Sequence, residues 1–382
     1  MSNDNIKTAE VPPPQRSGED HRLQPPIPPA TAGTRLATIR DVAVGVGSKS
    51  YLFVVALIVL LIGGQLSPHF LSSNNLVAVL ITASVVAVLA VGQFFVIVTG
   101  GIDLSVGSVA AVASVVGALV MSHGMPFGVA VIAGLALCGL IGLINGMFIV
   151  YGGITPFIVT LAMMSIARGF AYLIQTGRLV PIDNSTYLGV FTGNLGPIPA
   201  PVLLAALVML TAMIVMAYRS FGRRLYALGG NPEAARLSGL PVKRDTISAY
   251  VLSSTLAGLG GLMIAAQLTE GSAIIGDGYE LNAIAAVVVG GASLFGGTGN
   301  PVTAVLGGLI IGAILNIMDL LGVGAQAQLV VKGVVILLAV LFTSGAGSRL
   351  VPRLFTALFG RPQRRGKKAT EPTTPNGAHV ST

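Results

Sequence analysis

The 382 residues are 53% hydrophobic and only 9% charged, whereas a soluble domain is about a quarter charged, so a soluble globular protein is excluded and a polytopic membrane protein is expected. The formal charge of +8 invites a nucleic-acid reading, but the basic residues gather in one central loop and the C-terminal tail, where membrane topology accounts for them. The single cysteine, Cys138, lies inside an apolar run, which leaves no disulfide framework and no metal cluster to expect.

Residues 1–49 carry PPPQ and PPIPP, mixed charges and few apolar side chains, the composition of a disordered cytoplasmic tail. The first apolar run starts only near Tyr51, too far in for a cleaved leader. GVGSKS at 45–50 has a faint likeness to a phosphate loop but lacks its Gly-Lys-Ser order and spacer. No ATP-binding loop occurs elsewhere in the chain.

Apolar spans then follow near 51–66, 76–99, 104–122, 126–150, 156–177 and 200–218, and after a polar loop near 246–267, 279–296, 301–320 and 326–343. They predict an all-α polytopic membrane protein of about ten transmembrane helices with breaks at glycine-rich segments. The membrane domain covers 50–345, and 346–382 form a basic tail. Parity supports the count. With the N terminus in the cytoplasm, six helices return the chain there at Arg219 and ten at Arg349, both rich in positive charge. The loops 178–199 and 268–278, poor in Lys and Arg, are then outside.

The central loop, RSFGRRLYALGGNPEAARLSGLPVKRD at 219–245, holds Arg219, Arg223, Arg224, Arg236, Lys243 and Arg244 against Glu233 and Asp245. That excess marks a cytoplasmic loop. Within it Asn231 is a helix cap, Pro232 suits the first helical position and Glu233 the positive end of the dipole; Gly239 and Pro241 end the helix. Seven residues are too few for a helix to stand alone in water, and the loop offers no evident core, so a partner protein is expected.

Charges in hydrocarbon are costly, so Asp103, Arg168, Asp319 and Lys332 each need a reason to be there. Asp103 and Ser105 sit in TGGIDLSVGS at 99–108, which is either a capped junction between two helices or a discontinuous helix whose freed backbone lines a polar cavity. VVVGGASLFGGTGNP at 287–301 is a second break that loosely echoes the first. Asn145 and Asn316, each one turn after a glycine in LIGLINGM and IIGAILNIMD, either bond to neighbouring helices or line a path. Glu280 and Asn282 begin the eighth span where an outer vestibule would close. Small residues throughout the spans permit close helix packing and sliding.

The loop residues Glu233, Ala234, Ala235 and Gly239 resemble the EAA loop of bacterial ABC-importer permeases. TGGIDLSVGS, NGMFIVYGGITPFIVTLAMMSIARG, GGNPEAARLSGL, GYELNAIAAVVVGGASLFGGTG and VVKGVVILLAVL together are similar, in collinear order over about 50–345, to the ribose, xylose and galactose branch of ABC sugar permeases. The resemblance implies a ten-helix permease in the bacterial inner membrane that pairs with a second permease copy and takes a monosaccharide from an extracytoplasmic substrate-binding protein. A separate ABC ATPase subunit, carrying ATP and Mg, would drive it, so this chain would bind no cofactor and would not be an enzyme. Glu233, Ala234, Ala235, Arg236 and Gly239 would couple to that ATPase, and Asp103, Ser105, Asn145, Glu280, Asn282 and Asn316 are candidates for the path. An ion-coupled secondary transporter relaying charge through Asp103, Arg168, Asp319 or Lys332, or a membrane scaffold, are the alternatives from other classes. Within the importer class the solute could also be a nucleoside, an autoinducer sugar or a branched-chain amino acid.

Overall fold

The computed structural model describes residues 51–343, so the expectations for 1–49 and for the basic tail after 345 lie outside the described residues. The described chain is almost wholly helical: α1 (Tyr51–Leu66), α2 (Ser73–Ile97), α3 (Val106–Ser122), α4 (Phe127–Val150), α5 (Pro156–Gln175), α6 (Ser185–Thr192), α7 (Ala200–Tyr218), α8 (Ser220–Gly230), α9 (Pro232–Leu237), α10 (Val242–Leu268), α11 (Tyr279–Val289), α12 (Pro301–Leu320) and α13 (Ala325–Thr343). Four two-residue strands make two small antiparallel pairs, β1 (Val180–Pro181) with β4 (Glu270–Gly271) and β2 (Asn194–Leu195) with β3 (Ile198–Pro199).

Burial sorts the helices. The apolar stretch of α2 is 83% buried, that of α12 72% and that of α10 61%, against 28% for α4 and α5 and 22% for α7. Thus α2, α10 and α12, with the shorter and largely buried α3, form the core, while α1, α5 and α7 turn Leu57, Leu61, Leu173 and Leu207 outward as a lipid-facing surface would require. In α2 every residue from Ala83 to Ile97 is buried. α10 packs on α2, α3 and α4, and α12 on α2 and α11. Small residues set the spacing: a side chain on Gly261 of α10 would collide with the Ala110 carbonyl of α3.

Six helices, α2, α4, α5, α7, α10 and α12, are long and apolar enough to cross a membrane. The other four expected spans are apolar helices in the expected places but shorter: α1, α3, α11 and the described part of α13. The eighth span differs most, since α11 covers Tyr279–Val289 rather than reaching 296. Gly290 caps it, and the chain runs irregularly until Asn300 caps α12 by accepting from the Val302 N–H at 2.8 Å. α10 begins at Val242, directly after Pro241, so Lys243, Arg244 and Asp245 are helical rather than loop. The segment 178–199 is also more ordered than a plain loop. It contains α6, whose buried Tyr187 donates to the Leu262 carbonyl at 2.6 Å.

Candidate functional site

The central loop folds as two short helices, one more than its sequence suggested. In α9, six residues rather than seven, Asn231 Oδ1 accepts from the Ala234 N–H at 3.0 Å and Pro232 occupies the first turn. Gly239 follows with φ +76°, the left-handed conformation that ends helices. Glu233 and Arg236, two of the expected coupling residues, are paired with each other at 2.7 Å, both largely exposed. The Arg236 hydrogen bond holds the Glu233 carboxyl below its usual range. Of the two alanines only Ala235 turns inward, while Ala234 faces out beside Leu237, which is 77% exposed.

The preceding α8 supplies the core this loop appeared to lack. Gly222, Leu225 and Leu228 recur at three-residue spacing and are buried, whereas Arg223 faces water. Leu225 packs in the apolar cluster of Phe94, Phe95 and Ala249, and the Phe95 and Phe221 rings meet at a tilt of 34° with centroids 6.5 Å apart. Across the loop, Arg224 makes a two-pronged contact with Asp245 of α10, Nε to Oδ2 at 2.6 Å and Nη2 to Oδ1 at 2.9 Å. That contact raises the Arg224 guanidinium further above its usual value.

The first glycine break, between α2 and α3, encloses Asp103, which is fully buried. Its Oδ1 accepts from the Ser105 N–H at 2.9 Å and the Ser105 hydroxyl at 2.6 Å, and its Oδ2 accepts from the Ser253 hydroxyl of α10 at 3.0 Å. The carboxylate therefore closes an Asx turn over Ser105 and does not cap α3, whose N-cap Ser105 makes no side-chain bond to the helix. Asn145 of α4 donates to Ser105 Oγ at 3.1 Å, and the Gln93 amide donates to the Asp103 carbonyl at 3.1 Å while accepting from its N–H at 3.2 Å. Four segments thus meet around one residue: Ser105 and Ser253 direct three donors at the carboxylate, Asn145 holds Ser105, and Gln93 holds the Asp103 backbone. Asn145 Oδ1 and the buried hydroxyls of Tyr250 and Ser254 have no hydrogen-bond partner. Sequence reading passed over Gln93, Tyr250, Ser253 and Ser254; the last three stand at i, i+3 and i+4 on one face of α10, a pattern that a polar count within the span would have found.

The remaining candidates fall elsewhere. Asn316 exchanges two amide hydrogen bonds with Asn75 of α2, at 2.8 and 3.0 Å, and so clasps α12 to α2. Arg168 of α5 donates to the carbonyls of Ala273 and Ile275, the latter at 2.9 Å, and Gln175 Oε1 accepts from the Ala273 N–H at 2.7 Å, together holding the irregular segment that leads into α11. Glu280 is in the first turn of α11 with Asn282 behind it, 1% exposed and with an unpartnered Oδ1. The Lys332 ammonium of α13 lies in the field of Glu280, Asp319 and Asp277, and Gln328 donates to Asp319 at 2.8 Å. The structure therefore separates the path candidates into the Asp103 cluster (Asp103, Ser105, Asn145), a cluster at the start of α11 (Glu280, Asn282) and the Asn316 clasp. The two glycine breaks meet directly: the Gly297 N–H donates to the Val98 carbonyl at 2.9 Å.

The profile of the family described as branched-chain amino acid transport system permease component matches residues 75–340. Ribose import permease protein RbsC of Escherichia coli (strain K12) is 43% identical over 292 residues, 75% of this chain and 91% of the relative. D-allose transport system permease protein AlsC of the same organism is 37% identical over 289 residues, 75% of this chain and 89% of the relative. Its L-arabinose transport system permease protein AraH is 37% identical over 275 residues, 72% and 84% of the two chains. No solved structure matches.

Proposed function

The chain belongs to the family of branched-chain amino acid transport system permease components, and from that premise we propose that it is the membrane permease of an ATP-driven, binding-protein-dependent monosaccharide importer. The family is one of transport permease subunits, which are not enzymes, and the proposal places ATP and Mg on a separate ATPase subunit. Similarity to permeases named for ribose, allose and arabinose supports an aldose as solute. One structural observation carries the ATPase-driven reading: α9 presents Ala234, Leu237 and the Glu233–Arg236 pair outward from the base of the bundle. An exposed leucine at the tip of a six-residue helix is poorly suited to water and well suited to an interface.

In this reading all ten apolar helices cross the membrane, α1 leaving the cytoplasm and α13 returning to it, and the central loop faces the ATPase through Glu233, Ala234, Ala235, Arg236 and Gly239. Residues 50–345 are the permease domain, flanked by cytoplasmic segments, and a second permease copy completes the channel. Docking of the loaded binding protein favours one state of the pair. Closure of the ATPases then drives α9 and the helices behind it to the other, and the coupling is limited by how differently each partner binds the two states. Asp103, Ser105, Asn145, Glu280 and Asn282 supply the polar groups of the path.

The test is ATP-dependent uptake of labelled ribose, allose and arabinose into vesicles holding this chain, its ATPase and its binding protein, compared with the double variant Glu233→Ala, Gly239→Pro. Wild-type uptake that requires ATP, and its loss in a variant that still reaches the membrane, is the expected result. Uptake that survives in the variant or collapses with an uncoupler at constant ATP would transfer the function to an ion-coupled carrier. Uptake of a branched-chain amino acid in place of the sugars would overturn the solute class.

A further inference from the structure

The last turn of α8 stands against both glycine breaks at once, and the contacts are backbone on backbone. A side chain added to Gly229 would collide with the Val98 carbonyl oxygen and stand 2.5 Å from the Gly297 nitrogen, while one added to Gly297 would stand 2.9 Å from the Cα and nitrogen of Gly230. Val98 ends α2 and heads the first break. Gly297 lies inside the second, where its N–H donates to that same Val98 carbonyl at 2.9 Å. One turn back on α8, the Tyr226 hydroxyl donates to the Gly299 carbonyl at 2.9 Å, and burial pushes its phenol up to about 12, so it remains a donor at any cellular pH. Three segments remote in sequence therefore share one junction with no side chain between them. Pro232, the first residue of α9, follows Gly230 after a single residue.

From this we infer that Gly229 and Tyr226 are positioning residues for transport: they lock α8 to both breaks as a rigid joint, so that a displacement of α9 reaches the two breaks together. The inference rests on the reading of α9 as the ATPase contact. Its physical basis is stiffness. Backbone atoms at contact distance have no rotamers with which to absorb a shift, and the Phe94, Phe95, Phe221 and Leu225 packing beside them ties α8 to the end of α2. A joint with side chains interposed could slide by changing rotamers, and the movement would be lost before it reached the Asp103 and α11 clusters.

A wedge at the joint should uncouple transport from hydrolysis rather than abolish both. In proteoliposomes containing the ATPase and the binding protein, the quantity to measure is labelled sugar accumulated per binding-protein-stimulated phosphate released. That ratio does not change when part of the permease fails to fold, because misassembled complexes contribute to neither measurement. Gly229→Ala should lower it, and Tyr226→Phe, which removes one hydrogen bond and no volume from the joint, should lower it roughly two- to tenfold. Tyr172→Phe, a change at a residue 53% exposed on the outer face of α5, should leave it at the wild-type value. If Gly229→Ala does not reach the membrane, Tyr226→Phe decides alone. A wild-type ratio in Tyr226→Phe, or hydrolysis and uptake that fall in proportion in either variant, overturns the joint. Absence of ATP-dependent uptake in the wild type is a separate result, which overturns the importer reading.

Discussion

The Arg224–Asp245 contact is asymmetric, and the asymmetry predicts which half can be removed. The Asp245 side chain is 3% exposed and that of Arg224 28%. Replacing Arg224 by Met keeps the apolar stem but leaves a carboxylate buried without its two donors. Breaking a buried pair in this way costs about 3–5 kcal/mol, and the partial exposure of Arg224 reduces that to about 2–3 kcal/mol. Asp245→Asn is different, because the freed guanidinium can turn toward water and the amide oxygen still accepts from it; the cost should be under about 1 kcal/mol. The assay is amide hydrogen exchange in lipid nanodiscs across α8 and the first turns of α10, since local opening reports the free energy that closes the loop. Arg224→Met should raise exchange there roughly 30- to 150-fold, Asp245→Asn by a few-fold, and the double variant should resemble Asp245→Asn. Equal effects from the two single variants would show that Asp245 is not desolvated when unpaired and would refute the argument.

Three further outcomes follow from the geometry. Asp103→Ala strands three donors that point at the carboxylate, at about 1–3 kcal/mol each, so it should fail to accumulate as a monodisperse protein in detergent, whereas Asp103→Asn, which keeps an acceptor for Ser105, should accumulate with a lowered melting temperature. Gly239→Ala meets no neighbour within 4 Å and suffers only its φ of +76°, a strain of about 1–2 kcal/mol; exchange in α9 should rise roughly five- to thirtyfold with the rest of the chain unchanged. Asn75→Ala and Asn316→Ala should each lower thermal stability, and the double variant should lose little more than either alone, with a coupling of about 0.6–2 kcal/mol in a double-mutant cycle.

Much of this architecture can be read from the chain because hydrophobic length and helix punctuation are local properties. The Asn231 cap, the Pro232 start and the glycine stop at 239 all stand where the residues put them, and ten apolar helices occupy the ten apolar runs. What escaped the sequence reading was non-local or masked by charge. α8 has the composition of a loop because Arg223 and Arg224 dominate it, although Gly222, Leu225 and Leu228 at three-residue spacing carry its buried face. The eighth apolar run extends to 296 because Ala292, Leu294 and Phe295 are apolar, yet glycines at 290 and 291 end the helix before them. The neighbours of Asp103 in the chain allow either a capped junction or a discontinuous helix, and half of its environment comes from Ser253 and Gln93, which no local pattern links to it.

α10 gives the central loop a second connection to the first break, and this one is a continuous helix. It begins at Val242, three residues beyond Gly239, and carries Asp245 in its first turn and Ser253 two turns later. The eight residues from Asp245 to Ser253 span about 12 Å at the helical rise. Between them Tyr250 places its hydroxyl against Gly101 in the break itself, so that a side chain there would collide with it. The break is therefore held from two directions, by the backbone joint at Val98 and by the α10 side chains at Gly101 and Asp103, and the two holds sit on α8 and α10, the helices on either side of the segment that bears α9. A displacement of that segment moves both supports together, so the Asp103 cluster should respond by tilting as a unit. Accordingly, a spin label on α8 and one beside Ser253 should keep a constant separation through the ATP cycle while both move relative to α5; a separation that changes between nucleotide states would show that the two supports act independently.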